Sequence, residues 1–285
     1  MAPTPDSVIT WPDRVIDLGR YPVLDLDQPA AVAVVDRART QLAGTGAVEL
    51  PGFVTPGGIA ELVAEAESLA PRAHHSEGVG TAYLEYPDFS LPEGHPRLTW
   101  GHYAVGAVSY DLIPLTSLLR RIYEWPPLLG LVAAILDRGP LYRYADPFGA
   151  LNLAVMGDGD ELQWHFDQTD FVVSLAIQTA ATGGDFEVVP RIRTPDDENE
   201  DRVAAVLAGD RSGVVTLPMT PGTLLIFEGR HSLHRVSPVG GPHFRHMGLL
   251  AYDTVSGTQG TELLRENRYG RTVPFETPPS LWPVS

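Results

Sequence analysis

Two textures divide the chain. Up to about residue 140, apolar positions recur at helical spacing over 29–42, 59–69, 115–123 and 128–136, with Gly44 placed to stop the first segment. Between the first two, AVELPGFV (47–54) reads as a short strand interrupted by Pro51 and Gly52. From Leu151 the pattern changes to short apolar runs punctuated by Gly, Pro and Asp. These are LNLAVM (151–156), LQWHF (162–166), FVVSLAIQ (171–178), DFEVVP (185–190), GVVTL (213–217), TLLIF (223–227), HRVSPV (234–239) and HMGLLAY (246–252). Such runs predict an all-β sandwich or barrel, and eight is the strand count of a jelly roll. The expected fold is mainly β with α, a jelly roll behind a helical front half. The insertion 194–210 opens acidic at TPDDENED and continues as a helical RVAAVLAG, which places it outside the sheets. Its acidic 196–201 stretch reads as a lid or as solvated surface.

No repeat and no linker-like tract breaks the chain, so 1–285 is expected to be a single domain. Within it, 1–140 is the helical front, 141–254 the jelly-roll core, and 255–285 a polar, Pro-rich tail that forms a lid or a surface wrap. At 285 residues and 44% hydrophobic composition the chain can bury a substantial core.

Composition then removes whole classes of chemistry. There is no cysteine, hence no disulfide, thiolate zinc site, iron–sulfur cluster or cysteine nucleophile. All 20 basic residues are arginine, so no Schiff-base or phosphate-loop lysine exists. The formal charge of −16 opposes the basic surface that nucleic-acid binding requires. The opening MAPTPDSVIT has neither a basic n-region nor an apolar run, and no stretch approaches the roughly 20 apolar residues of a membrane span. The expectation is a cytoplasmic protein with a small-molecule substrate and no nucleic-acid or membrane partner.

In Trp164-His165-Phe166-Asp167, residues 165 and 167 alternate onto the same face of a predicted strand, so an imidazole and a carboxylate converge. A third ligand must come from a distant strand, and His234 opens one. Two imidazoles and one carboxylate on one face of an octahedral metal leave three positions open, the facial triad of non-haem iron oxygenases. His231 competes for the third position, since GRHSLHRV offers two histidines. His234 is preferred because it begins an alternating apolar strand. His231 then belongs to a substrate pocket or to an exposed turn. Arg245 follows His234 across the turn GGPHF, where its planar fork can grip a carboxylate with two hydrogen bonds.

His-x-Asp, a distal His and a following Arg, in this order, resemble the Fe(II)/2-oxoglutarate-dependent dioxygenase superfamily. A closer resemblance spans roughly 95–272 through HPRLTWGHYAVG, LYRYADPFGALNLAVMGDGDELQWHFDQTDF, GGDFEVVP, PGTLLIFEGRHSLHRVSPV and NRYGRT. These segments are similar to a bacterial group of hydroxylases and halogenases acting on free amino acids. The resemblance implies a double-stranded β-helix, cupin-like, with N-terminal helices packed on one sheet. It implies Fe(II) on His165, Asp167 and His234, 2-oxoglutarate anchored by Arg245, and O2 as oxidant, with succinate and CO2 released. It also implies hydroxylation or a related oxidation rather than halogenation, because in the halogenases of that group a small residue replaces the carboxylate that Asp167 supplies here; desaturation or ring closure, and a carrier-bound or peptide substrate, are the alternatives on the same scaffold.

Further candidates surround this set. Asn152 either donates to 2-oxoglutarate or serves a strand or turn. Trp164 is read as core packing opposite His165, with a pocket wall as the alternative. Gln168 either meets substrate at the pocket mouth or makes loop hydrogen bonds. Arg143 and Tyr144 in LYRYADP either recognise a substrate carboxylate or pack an edge. His74, His75 and His102 lack carboxylates at ligand spacing and are set aside as a second metal site. Gly183-Gly184 reads as a turn, because no helix pattern follows it to cradle phosphate. The rival outside catalysis is a jelly-roll protein that binds metal without turnover, against which the presence of Arg245 beside all three ligands argues.

Overall fold

The computed structural model describes residues 11–275; the MAPTPDSVIT segment and 276–285 of the tail lie outside the described residues. The front half contains α1 (Pro29–Thr45), β1 (Ala47–Leu50), α2 (Pro56–Leu69), β2 (His74–Thr81), β3 (Trp100–Val108), α3 (Leu118–Glu124) and α4 (Pro126–Leu136). Next come β4 (Tyr142–Arg143), β5 (Leu151–Met156), β6 (Glu161–His165), β7 (Val172–Gln178), β8 (Thr182–Gly183), β9 (Phe186–Val189) and α5 (Glu200–Leu207). The rest are β10 (Val215–Leu217), β11 (Leu224–Phe227), β12 (Leu233–Val236), β13 (Val239–Gly240), β14 (Arg245–Leu250), β15 (Tyr252–Asp253) and α6 (Glu262–Tyr269).

Each of the eight apolar runs forms a strand. They curl into a jelly roll with the antiparallel order β1-β11-β7-β14-β5 in one layer and β6-β12-β9-β10 in the other. β3 bridges the layers by pairing with both β5 and β6. Alternation assigns the two faces of the first layer. Leu151, Leu153 and Val155 of β5, with Val173, Leu175 and Ile177 of β7, join one core with the apolar stripes of α1 to α4. Ala154 and Met156 of β5, Met247 of β14 and Phe227 of β11 instead fill the barrel interior. The helices thus cover one sheet, and the opposite face is left to build a site.

Three features depart from the sequence reading. The front half is less helical than expected, because β2 and β3 form a long antiparallel ribbon at the barrel's edge. α1 runs past Gly44, whose position is compatible with helix, and ends at Gly46, which takes the left-handed φ of 68° and donates to Leu42 O. The tail contains α6, capped by Thr261 at its start and by Gly270 at φ 67°. Among the described residues no helix is long and apolar enough to cross a membrane.

Candidate metal and cosubstrate site

His165 and His234 meet where β6 and β12 pair, as direct cross-strand partners. The next matched pair is Val236 with Leu162, so one residue of β12, Arg235, opposes two of β6. This β-bulge at Gln163 and Trp164 re-aims His165 into the barrel, and the strand ends there. Asp167 lies just beyond, its N–H donating to Gly229 O at 3.1 Å. Gly229 is required by proximity: a Cβ there would sit 2.1 Å from Asp167 Oδ2.

The three ligand atoms lie within 4.8 Å of one another. His165 Nε2 is 4.0 Å from Asp167 Oδ1, and His234 Nε2 is 3.2 Å from Oδ2. Each imidazole is fixed from behind: His165 Nδ1 donates to Gln163 O at 2.7 Å and His234 Nδ1 to Ser232 O at 2.9 Å. With the proton on Nδ1, both Nε2 atoms present lone pairs toward the carboxylate, the tautomer a metal needs. For neutral imidazoles the 3.2 Å contact then carries no hydrogen, and buried Oδ2 has no donor. Three inward-facing electron-pair donors with nothing positive between them fit a divalent cation.

The electrostatics agree. Burial, reinforced by the neighbouring His234, pushes His165 down to about 4, so it is neutral at physiological pH and free to offer a lone pair. Burial alone would raise the Asp167 carboxyl, but the two imidazoles outweigh it and hold it below the usual range. His234 alone runs the other way: burial would lower it, but the Asp167 carboxylate more than reverses this and favours its protonated form, a proton that a cation bound between the two would replace. Phe186 and Phe227 pack around the His234 ring, their centroids 5.6 and 4.9 Å away.

Arg245 opens β14 opposite Met156. It is 6% exposed, donates from Nε to Gly184 O at 2.9 Å and from Nη1 to Met156 Sδ at 3.8 Å. No carboxylate among the described residues stands within ion-pair distance, and burial pulls its pKa down to about 10. A buried guanidinium without an anion is costly, so this position is built to receive one. Asn152 shares the interior face of β5 with Ala154 and Met156, and its buried Oδ1 has no partner. Gly183 and Gly184 take left-handed φ of 62° and 66°, but Gly183 belongs to β8, paired with Val239, and Gly184 follows the strand, so the pair is a strand end and not the expected turn.

The remaining candidates are placed elsewhere or at the rim. Arg143 donates to Glu124 O at 2.7 Å, and Tyr144 packs on the helix-side core, so neither faces the triad. Trp164 packs beside Phe166 and Leu233, with the Arg235 guanidinium over its ring. Gln168 is exposed and its backbone carbonyl accepts from Arg230. His231 sits in the turn after Gly229, its N–H on Glu228 O, and is not one of the converging ligands. His102, contrary to the sequence reading, does have carboxylates nearby, Glu161 at 3.0 Å and Glu77 at 3.3 Å. The triad is nevertheless the one convergent metal-binding group among the described residues. Sequence reasoning missed Gly229, for which spacing carries no signal, since it matters through the close approach of a distant segment of the chain.

This fold is that of the 2-oxoglutarate/Fe(II) oxygenases. The non-heme alpha-ketoglutarate-dependent epimerase SnoN from nogalamycin biosynthesis superposes with a TM-score of 0.58 at 17% identity, covering 88% of this chain and 94% of that one. AviO1 from Streptomyces viridochromogenes Tue57 gives 0.53 at 21% identity, covering 78% and 96%. A 2OG-Fe(II) oxygenase family oxidoreductase from Burkholderia pseudomallei gives 0.51 at 14%, covering 78% and 92%. Within this class the sequence is more specific: residues 105–267 match the family described as Halogenase D, and the chain belongs to that family. No curated protein matches it by sequence.

Proposed function

We propose that the protein is an Fe(II)- and 2-oxoglutarate-dependent oxygenase that hydroxylates an unactivated C–H bond of an amino acid or amino-acid-derived small molecule. The observation that carries this is Arg245, a buried guanidinium without a counter-anion that faces the same interior as the His165, Asp167 and His234 triad. In this reading the three side chains hold iron(II). Arg245 pairs with the distal carboxylate of 2-oxoglutarate, Asn152 lies on the interior face to orient the same molecule, and the whole chain acts as one domain. Bound iron supplies oxygen activation, with succinate and CO2 as coproducts. SnoN has been solved with Fe3+ and alpha-ketoglutarate, which supports the same pair of ligands here. Hydroxylation is favoured over halogenation because the Asp167 carboxylate takes the coordination position that a halide would need.

The test is anaerobic titration of iron(II)-loaded protein with 2-oxoglutarate, following the weak visible metal-to-ligand charge-transfer band. Wild type should develop the band, and Arg245→Ala should need at least tenfold more cosubstrate. No band in wild type would remove the oxygenase reading.

A further inference from the structure

The mouth of the barrel is crossed by α6, and contacts along its last turns fix which side it covers. Tyr269 is buried with Ala107 and Phe148, stacked on the Phe148 ring at 5.6 Å. Ser76 Oγ donates to Asn267 O at 2.6 Å, and a Cβ on Gly270 would lie 2.5 Å from the His74 ring. In the β2–β3 ribbon, His74 pairs with Ala107 and Ser76 with Val105. Val105 belongs to the barrel interior, so α6 lies across the interior-facing side of the ribbon. Two ion pairs hold it there. Arg265 meets Asp146 at 3.1 Å, and Arg271, just past the helix, meets Asp111 at 2.7 Å, the two carboxylates being 1% and 0% exposed. The tail is therefore a docked wall of the site.

Arg268 projects from this wall. Its neighbours in the helix, Asn267 and Tyr269, are both held against the inner side of the ribbon, and its electrostatic neighbours are the phenols of Tyr269 and Tyr103. It is only partly exposed, burial holds its pKa below the usual value, and it has no hydrogen bond or ion pair among the described residues. Such an arginine stands out in a chain where acidic residues outnumber basic ones 36 to 20. The surface beside it is built on glycines that let two polar side chains lie close to the ribbon. Gly78, Gly80 and Gly101 lie on the ribbon's inner side, where Tyr103 and Gln163 lie flat over them, and Gln163 Nε2 donates to Gly80 O at 2.8 Å.

The site thus holds two guanidiniums without anions. Arg245 is at the far end, against Met156 and Gly184, where 2-oxoglutarate is assigned. Arg268 is at the mouth, where a second molecule must enter. We propose that Arg268 is a substrate-binding residue that selects for a free carboxylate, with the Tyr103 hydroxyl beside it. Arg143, whose chemistry would suit the same task, is ruled out by its tie to Glu124 O on the helix side. The inference rests on the oxygenase reading of the triad and Arg245.

Two measurements on the full chain separate failure of the inference from failure of that reading. The first is the anaerobic iron(II)/2-oxoglutarate titration on wild type, Arg268→Gln and Arg268→Lys. All three should give the band with half-saturation within about twofold, which also shows that the variants fold. A wild type without the band overturns both readings. A band that fails only in both Arg268 variants assigns Arg268 to the cosubstrate or to folding and overturns this one. The second is phenylglyoxal labelling of the anaerobic complex, read at Arg268 by peptide mass spectrometry. The probes are a pool of proteinogenic L-amino acids without arginine, at millimolar concentration, and the same pool as primary carboxamides. The acids should slow labelling of Arg268 at least threefold while the amides leave it unchanged. Equal protection by both pools, or none by either, overturns the proposal.

Discussion

A methyl group at position 229 is the smallest change that should dismantle the metal centre without altering a ligand. Its Cβ would lie 2.1 Å from Asp167 Oδ2 and 2.9 Å from both Cβ and Cγ of that side chain. Non-bonded heavy atoms settle at about 3.5 Å or more, so the carboxylate oxygen must retreat by roughly 1.4 Å. Retreat is opposed by the bond from Asp167 N to Gly229 O, which ties the two backbones together. Metal–ligand distances tolerate only about 0.2 Å. Even the loss of a group that merely orients a ligand costs about 10–100-fold in metal affinity. That corresponds to roughly 1.4–2.7 kcal/mol, and displacement of the ligand itself should cost no less. Overpacking adds about 1–3 kcal/mol of lost stability, which a chain of this size tolerates. The assay is anaerobic calorimetric titration with iron(II), alongside thermal unfolding of the metal-free protein. Gly44→Ala serves as the control, since nothing lies within 4 Å of a Cβ there. It should leave affinity unchanged and stabilise α1 by about 0.5–1 kcal/mol. Iron(II) affinity in Gly229→Ala within twofold of wild type would refute Asp167 as a ligand in this conformation.

Two further predictions concern stability. His246 is 0% exposed with neither ring nitrogen partnered, and burial lowers its pKa to about 4. The unfolded chain takes up that proton near about 6.5, so the native state is unpenalised above that pH and loses stability as pH falls from there toward about 4, by up to roughly 3 kcal/mol. His246→Phe should flatten this acid limb in urea titrations run between those pH values, and an unchanged limb would contradict the assignment. Burial tends to raise the Asp111 carboxyl, but Arg271, Ser109 and the Phe275 N–H outweigh it and hold it below the usual value. Its stabilisation is therefore present above about pH 4 and lost as pH falls through the lowered folded value. Asp111→Asn should cost near the lower end of roughly 3–5 kcal/mol, because Arg271 keeps 20% exposure. Amide exchange should speed up most across 262–275, and uniform acceleration would argue against α6 docking through this pair.

What the sequence disclosed depended on how local the cause was. The eight jelly-roll strands were legible because each alternates or runs apolar between Gly, Pro and Asp breaks, and a strand carries that information within itself. β2 was not, because HHSEGVGT is polar and glycine-rich, and it becomes a strand only along the edge that β3 offers. The glycines that hid it also let Tyr103 and Gln163 lie against the ribbon. α6 was missed for a related reason. ELLRENRY has no broad apolar stripe, and its docking comes from Asp146 and Asp111 far away in the chain. The triad lies between these cases. Its residues were legible as His-x-Asp plus a distant His, but simple alternation on one strand is not how the fold joins them, since β6 ends at His165 and a bulge turns that ring inward. Arg143 and Arg268 make the limit explicit. Both stand beside tyrosines in arginine-bearing motifs, and either could receive an anion. What separates them is occupancy: one guanidinium is bound to Glu124 O, and the other has no polar partner among the described residues and stands on a helix docked across the ribbon's inner side. An anion receptor is defined by the partners it lacks, and that is settled only when distant segments are brought together.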